Sequence, residues 1–390
     1  MTAVTTTTFT KQKDYWAVGL THFCADALTS GRNLVVAVLA LSMGLTNSQV
    51  AIAALLYNVG NALSQPLFGL LADKVGPRLL VIGGIAWMIF FGTIAALAGE
   101  WPALIAITVM GLGSGAFHPA GTMVASQVNA TQRTRATALF FVMGQMGLFA
   151  GPILAGLFMD VWSRPGYMAM SLIAAVAFAS SWQWVVNRWE MIEAQRTERA
   201  TIKSATQSRT VAYVLPLLLT IISYSTISMT VMTFMPKLFA ELQFDISYVG
   251  WLTGIFMFGM AIGGYLGGLL GDRFNGRLVI MGSMTAAIVP LYFAIVAPPL
   301  LQMVLLALAG LTGGMPHSIL VLTVQNLFPG RRALASGLAL GSMFFGGAIG
   351  SYMPGVVADN IGLAPALQGM ALLPLIAAVM TLVLFIQERK

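Results

Sequence analysis

The sequence predicts an all-α membrane protein of twelve transmembrane helices in two pseudo-symmetric six-helix bundles, and three observations predict it. First, 58% of the 390 residues are hydrophobic and only 8% charged, with a mean hydropathy of +0.84. A soluble domain would carry roughly a quarter charged residues. Second, the chain repeats itself. Gly69-Leu70-Leu71-Ala72-Asp73-Lys74-Val75-Gly76-Pro77-Arg78 returns as Gly268-Leu269-Leu270-Gly271-Asp272-Arg273-Phe274-Asn275-Gly276-Arg277, 199 positions on (69 to 268). The same offset pairs Gly111 with Gly310, Gly115 with Gly314, His118 with His317, Gly151 with Gly350, Gly156 with Gly355 and Asp160 with Asp359. A repeat of this length is a duplicated unit, and paired membrane halves are how many secondary transporters are built. Third, a polar stretch of mixed charge divides the copies at 188–209.

Apolar runs long enough to span, about 20 residues each, fall at about 15–42, 48–72, 77–99, 101–125, 134–160 and 165–187. The second set falls at about 210–236, 247–271, 276–297, 299–325, 332–357 and 364–387. The halves are therefore 1–187 and 210–390, joined by a linker at 188–209 too polar to cross lipid. The start, Met1 to Asp14, is polar and Thr-rich, unlike a cleavable signal.

The net charge of +7 is scattered between spans, so orientation explains it better than a nucleic-acid partner. Of the 20 Lys and Arg, only Arg164 and Lys237 fall in outside segments, and Arg32 falls within a span, when the N-terminus is cytoplasmic. That bias predicts an even number of spans with both termini cytoplasmic, in a bacterial inner membrane. Cys24 is the single cysteine, a packing residue within the first span. The three histidines belong to three different spans, so the sequence suggests no metal site.

Ionisable groups inside the bilayer cost at least about 2.5–3.5 kcal/mol on insertion scales and mark function by default. Twelve of the 13 acids lie at interfaces or in loops, and Asp26 alone lies deep. It stands about 16 Å into the first span at 1.5 Å per residue. Desolvation there favours its neutral form and hydration the charged one, so it can carry a proton as access alternates. The competing reading is a neutral carboxyl used only for packing. His22, four residues away on the same face, could share the proton. His118 is a second coupling candidate, although its symmetry with His317 also suits a structural bond across the two halves. Arg32, about 9 Å beyond Asp26 along the helix, binds an anionic group, pairs internally or snorkels to the interface. Asn58, Asn61 and Gln65 make one polar stripe. With Gln145, Tyr224 and Thr226 they are candidates to line a cavity, or equally to satisfy helix contacts.

At this point the residues resemble a known family. The repeated Gly-x-Leu-x-Asp-Lys/Arg hinge is similar to motif A of the major facilitator superfamily. Gly144, Gly147, Gly151-Pro152 and Gly156 are similar to motif C of its antiporter branches. His22-Phe23-x-x-Asp26 and Gly111-x-Gly113-x-x-x-Phe117-His118-Pro119 resemble the fosmidomycin-resistance type of drug:proton antiporter. The arginine that many members carry early in span 4 falls here at Ile107.

The resemblance implies the major facilitator fold, with a conformational latch at Gly69, Asp73, Arg78, Asp272 and Arg277. Positive-inside anchoring alone is the rival reading of that hinge. It also implies a leak-proof contact between the halves at Gly144, Gly151, Pro152 and Gly156, against ordinary packing of a kinked helix. No nucleotide-binding motif or cofactor site is apparent, so an ion gradient is the expected drive. The expected activity is proton-coupled export of a small organic compound, drug-like, amphiphilic or anionic, by alternating access. Its partners would be that compound, protons and lipid, and a monomer suffices. The alternatives are a proton-linked importer of a sugar or organic acid and a non-transporting sensor on the same scaffold. An enzyme is disfavoured, since no nucleophile–base pattern lies within the spans.

Overall fold

The computed structural model describes residues 8–128, 132–189, 193, 211–327 and 332–387. Of the expected linker only Arg188, Trp189 and Glu193 are among them. Fifteen α-helices run along the described chain. They are α1 (Lys13–Ser42), α2 (Asn47–Val75), α3 (Pro77–Leu97), α4 (Glu100–Gln127), α5 (Arg133–Trp162), α6 (Met168–Trp184) and α7 (Val211–Glu241). Then follow α8 (Ile246–Arg273), α9 (Gly276–Phe293), α10 (Pro299–Gly314), α11 (Pro316–Leu327), α12 (Arg332–Gly350), α13 (Tyr352–Ile361), α14 (Leu363–Met370) and α15 (Pro374–Gln387).

Twelve crossings result, because the last three spans are each broken into two helices. The breaks fall at Met315 before Pro316, at Ser351 before Pro354, and at Ala371–Leu373 before Pro374. Proline cannot donate to the helix ladder and disfavours helical geometry in the residue before it. Nine segments among the described residues are long and apolar enough to cross a membrane by composition alone. The other three crossings are α2, diluted by Asn58, Asn61, Ser64 and Gln65, the 17-residue α6, and the broken α12–α13 pair.

The turn between α2 and α3 is one of two ends that matter. Gly76 adopts φ 86°, a conformation that glycine tolerates and side chains rarely do, and Pro77 then opens α3. This is the hinge end. Nearby, Arg188 pairs with Asp14 at 2.5 Å and donates to Gln12 Oε1 at 2.8 Å, tying the start of the linker to α1. At the opposite, far end, Thr46 caps α2 reciprocally with Gln49.

Helix α1 packs on α3, α4, α5 and α6, while α8 packs on α9, α10 and α11 and α7 on α12 and α15. The halves meet through α1–α7, α5–α8 and α2 with α12 and α13. The close approaches lie toward the far end. A Cβ on Gly156 of α5 would stand 2.8 Å from the Ile246 carbonyl oxygen, and one on Gly355 of α13 would stand 2.8 Å from that of Asn47. Only a residue without a side chain lets backbones this near.

Candidate functional site

Asp26 and His22 face the same side of α1, one turn apart, and α4 brings His118 to meet them. His22 Nε2 lies 3.3 Å from Asp26 Oδ2, and His118 Nε2 lies 3.1 Å from Asp26 Oδ1. The far sides of both rings are fixed by backbone. His22 Nδ1 is 2.8 Å from the Phe140 carbonyl oxygen. His118 Nδ1 is 2.8 Å from the Ser114 carbonyl oxygen and 3.2 Å from Ser114 Oγ.

That geometry decides the proton inventory. A carbonyl oxygen only accepts, so each Nδ1 carries a hydrogen. In a neutral imidazole the other nitrogen is then a bare acceptor. Both Nε2 atoms therefore present lone pairs to a carboxylate, acceptor against acceptor. Each contact becomes attractive only with a proton between its atoms, whether on carboxyl oxygen or on ring nitrogen. The geometry thus offers two proton positions, one at each contact.

Glycine makes the room. A Cβ on Gly144 of α5 would sit 2.5 Å from His22 Cε1 and 2.7 Å from Asp26 Oδ2. Phe140 stacks on the His22 ring at 4.0 Å, with Phe117 at 5.6 Å and Phe141 at 6.0 Å. Access is therefore one-sided: the His22 side chain is 3% exposed and that of His118 23%.

Two expectations need correcting. The exclusion of a metal site rests on the histidines lying in different spans. Two of those spans bring His22 and His118 together with Asp26, their ligand atoms within 4.8 Å of one another. Nor do the two symmetric histidines bond across the halves. His118 bonds within the N-terminal half, and His317 Nδ1 meets Tyr224 Oη, 3.2 Å away in the C-terminal half. The repeat explains the divergence, since the position equivalent to Asp26 is Ser225.

Arg32 does not join the triad, nor does it snorkel. It is 4% exposed, and its guanidinium carbon lies 3.5 Å from the centre of the Tyr57 ring, a cation–π stack. Its Nε and Nη1 have no hydrogen-bond partner. Tyr57 Oη donates in turn to Thr29 Oγ1 at 3.0 Å.

Asn58 Nδ2 donates to the Ala54 carbonyl of its own helix, and Gln65 Nε2 to Asn61 Oδ1, so the polar stripe is satisfied locally. Gln145 is exposed. Tyr224 lines a void of about 10 Å³ with Ser228, Phe256 and Met260, space on the scale of one water and no more. Thr226 packs against Gly350 of α12.

Both hinge arginines donate to partners in their own halves. Arg78 donates to the Val185 and Trp182 carbonyls at 2.9 and 2.7 Å, closing the C-terminal end of α6. The equivalent Arg277 is buried and donates to Tyr213 Oη at 2.9 Å and Thr323 Oγ1 at 3.2 Å. The nearest atom to a Cβ on Gly69 is Pro119 Cβ at 3.7 Å. Asp73 and Asp272 occupy the last turns of α2 and α8. The motif on α5 divides as well. Gly144, Gly147 and Gly151 pack on α1 of the same half, and only Pro152 and Gly156 reach α8 of the other.

Comparison with known proteins agrees with this architecture. The sequence model of the Major Facilitator Superfamily matches residues 18–237 and again 217–390. The chain is 30% identical over 384 residues to an uncharacterized MFS-type transporter, YfnC, of Bacillus subtilis, covering 92% of this chain and 90% of that one. It is 26% identical over 369 residues to the fosmidomycin resistance protein of Escherichia coli, with the same coverage. The crystal structure of a point mutant of the nucleoside transporter NupG superposes with a TM-score of 0.77 at 11% identity, over 95% of this chain and 100% of that one. Twelve crossings, two copies of a hinge and a family match along nearly the whole length converge: this chain belongs to the Major Facilitator Superfamily, and is a multi-pass membrane transporter of small molecules rather than an enzyme.

Proposed function

We propose that the protein is a proton-coupled secondary transporter that exports a small organic compound by alternating access. The observation that carries this is the His22–Asp26–His118 triad within the N-terminal half, with each Nδ1 turned to a backbone carbonyl, so that each of the two Nε2–carboxylate contacts offers a proton position. Such a group releases a proton to water on one side and takes one up on the other as the halves rock. A passenger whose donor groups bond the bare Nε2 atoms and carboxylate occupies the same positions as the protons, which makes the two mutually exclusive. Mutual exclusion at one site is what an exchanger needs. Export is favoured by the likeness to a protein named for fosmidomycin resistance. On the orientation read from the basic residues, the sealed far end is the outside, so we infer that the triad here communicates with the cytoplasm.

A second reading draws on Arg32. A buried cation with unpaired N–H groups favours an anionic passenger, and an anion strengthens proton binding instead of opposing it. Proton and anion would then travel together, as in an importer.

One experiment separates these readings. Everted vesicles loaded with a pH-sensitive dye receive fosmidomycin, other antibiotics, sugars and organic acids, with native protein and with Asp26→Asn at matched expression. Export predicts that a compound triggers proton movement out of acidified vesicles, and that Asp26→Asn abolishes the signal. Movement of proton and compound in the same direction would establish the importer. A native response in Asp26→Asn would remove the triad from the mechanism.

A further inference from the structure

The Gly-x-x-x-Asp pattern of the hinge occurs four times, not twice. Beside Gly69 to Asp73 and Gly268 to Asp272 stand Gly156 to Asp160 at the end of α5 and Gly355 to Asp359 at the end of α13. The first pair lies at the hinge end and the second at the far end. Among the described residues the hinge-end glycines pack within their own halves, Gly69 against Pro119 and Gly268 against the equivalent Ser318, each at 3.7 Å. The far-end glycines pack across the halves, Gly156 on Ile246 and Gly355 on the equivalent Asn47, each 2.8 Å from a carbonyl oxygen.

At one of these far-end contacts the aspartate is engaged as well. The Asn47 and Ser48 amides donate to Asp359 Oδ1 and Oδ2 at 2.7 and 3.0 Å. A carboxylate from the C-terminal half thus caps the first helical turn of α2, where N–H groups lack partners within the helix and negative charge is favoured. From α7, Lys237 donates to Asn47 Oδ1 at 2.6 Å and pairs with Glu241 at 2.5 Å. The related Asp160 makes no such bond to α8, whose own capping position is the acidic Asp245.

We propose that Asp359 is the far-end latch of the transport cycle: its carboxylate closes on the Asn47 and Ser48 amides, and the halves part at this end only when those bonds break. The closed geometry needs both elements of the pattern, glycine for the approach and aspartate for the grip. The latch concerns the conformational equilibrium alone, so it stands whichever way the passenger moves.

The test measures distances, not transport. In a Cys24→Ala background, spin labels at Leu41 and Leu242 report the far end and labels at Val75 and Phe274 the hinge end, in lipid nanodiscs. Asp359→Asn should raise the ratio of far-end-open to far-end-closed molecules about tenfold, with the hinge-end distance shortening in step. Asp160→Asn and Lys237→Met should change the ratio less than twofold. Asn47→Pro supplies a second variant should Asp359→Asn fail to insert. It removes the nearer amide at a position where Thr46, at φ −64° and ψ 161°, already suits a following proline. An unchanged ratio in Asp359→Asn, or in Asn47→Pro where that variant decides, overturns the proposal. An equal shift in Asp160→Asn or Lys237→Met also overturns it, because general surface charge or the lysine would then hold the end.

Discussion

Gly144→Ala should uncouple the transporter without unfolding it. The added methyl would meet His22 Cε1 at 2.5 Å and Asp26 Oδ2 at 2.7 Å, whereas ordinary contact begins at 3.4 Å. The ring must therefore retreat by about 0.9 Å (3.4 less 2.5), unless the helices separate by as much. The His22 Nδ1 to Phe140 oxygen distance starts at 2.8 Å. A displacement of that size along the bond takes it to about 3.7 Å, beyond hydrogen-bonding range. Overpacking of this kind costs about 1–3 kcal/mol, and the lost hydrogen bond about 1 more. The sum, about 2–4 kcal/mol, falls on the alignment of the triad and corresponds to a loss of about 30- to 1,000-fold in coupled transport. The assay is compound-driven proton flux in proteoliposomes, with insertion checked by size-exclusion chromatography. Gly83→Ala is the control, since nothing lies within 4 Å of its Cβ and alanine is favoured over glycine in helices. Native flux with native pH dependence in Gly144→Ala would refute the claim that this glycine sets the triad.

Asp26→Asn should retain substrate counterflow while losing proton movement, measured with labelled compound and dye in the same vesicles. Arg78→Ala removes the donors that close the end of α6 and should destabilise the protein by about 1–3 kcal/mol, read as a lower melting temperature in detergent. Arg32→Met deletes a buried cation with unpaired N–H groups, so the melting temperature should hold or rise; lost transport with retained stability would assign Arg32 to the passenger. The far-end latch should respond to pH in one direction only. Desolvation works to raise the Asp359 carboxyl, but the hydrogen bonds from Ser48 and Asn47 together outweigh it and hold the group below the usual carboxylate range. The latch is then fully formed above the ordinary value near 3.8 and lost as pH falls through the lowered one. The far-end spin-label distance should stay constant from about pH 8 to 5 and lengthen only below about 4.

Much of the fold is legible because hydropathy, repeats and basic-residue bias are one-dimensional signals. The breaks before Pro316, Pro354 and Pro374 are not, since Pro66, Pro119, Pro152, Pro216, Pro236 and Pro290 sit inside helices that continue through them. The triad is legible only in part. Asp26 and His22 share a helical face and can be paired by counting, but His118 lies 92 residues from Asp26, and no periodicity connects separate spans. Gly144 reads as a packing glycine, yet what it packs against depends on the rotation of α5 about its axis, which an all-round apolar helix does not encode. The role of Asp359 is hidden for a different reason. Its motif is plain in the chain, but its partners are backbone amides, which carry no sequence signature.

Those amides have one more consequence. The Asn47 and Ser48 N–H groups are bonded to a carboxylate that belongs to the other half of the molecule, so their exchange with deuterium should quicken whenever the far end parts. Their exchange is a clock built into the native chain. Its rate, compared between the native chain and Asp359→Asn without label or ligand, should report how firmly the far end of the unloaded transporter is held.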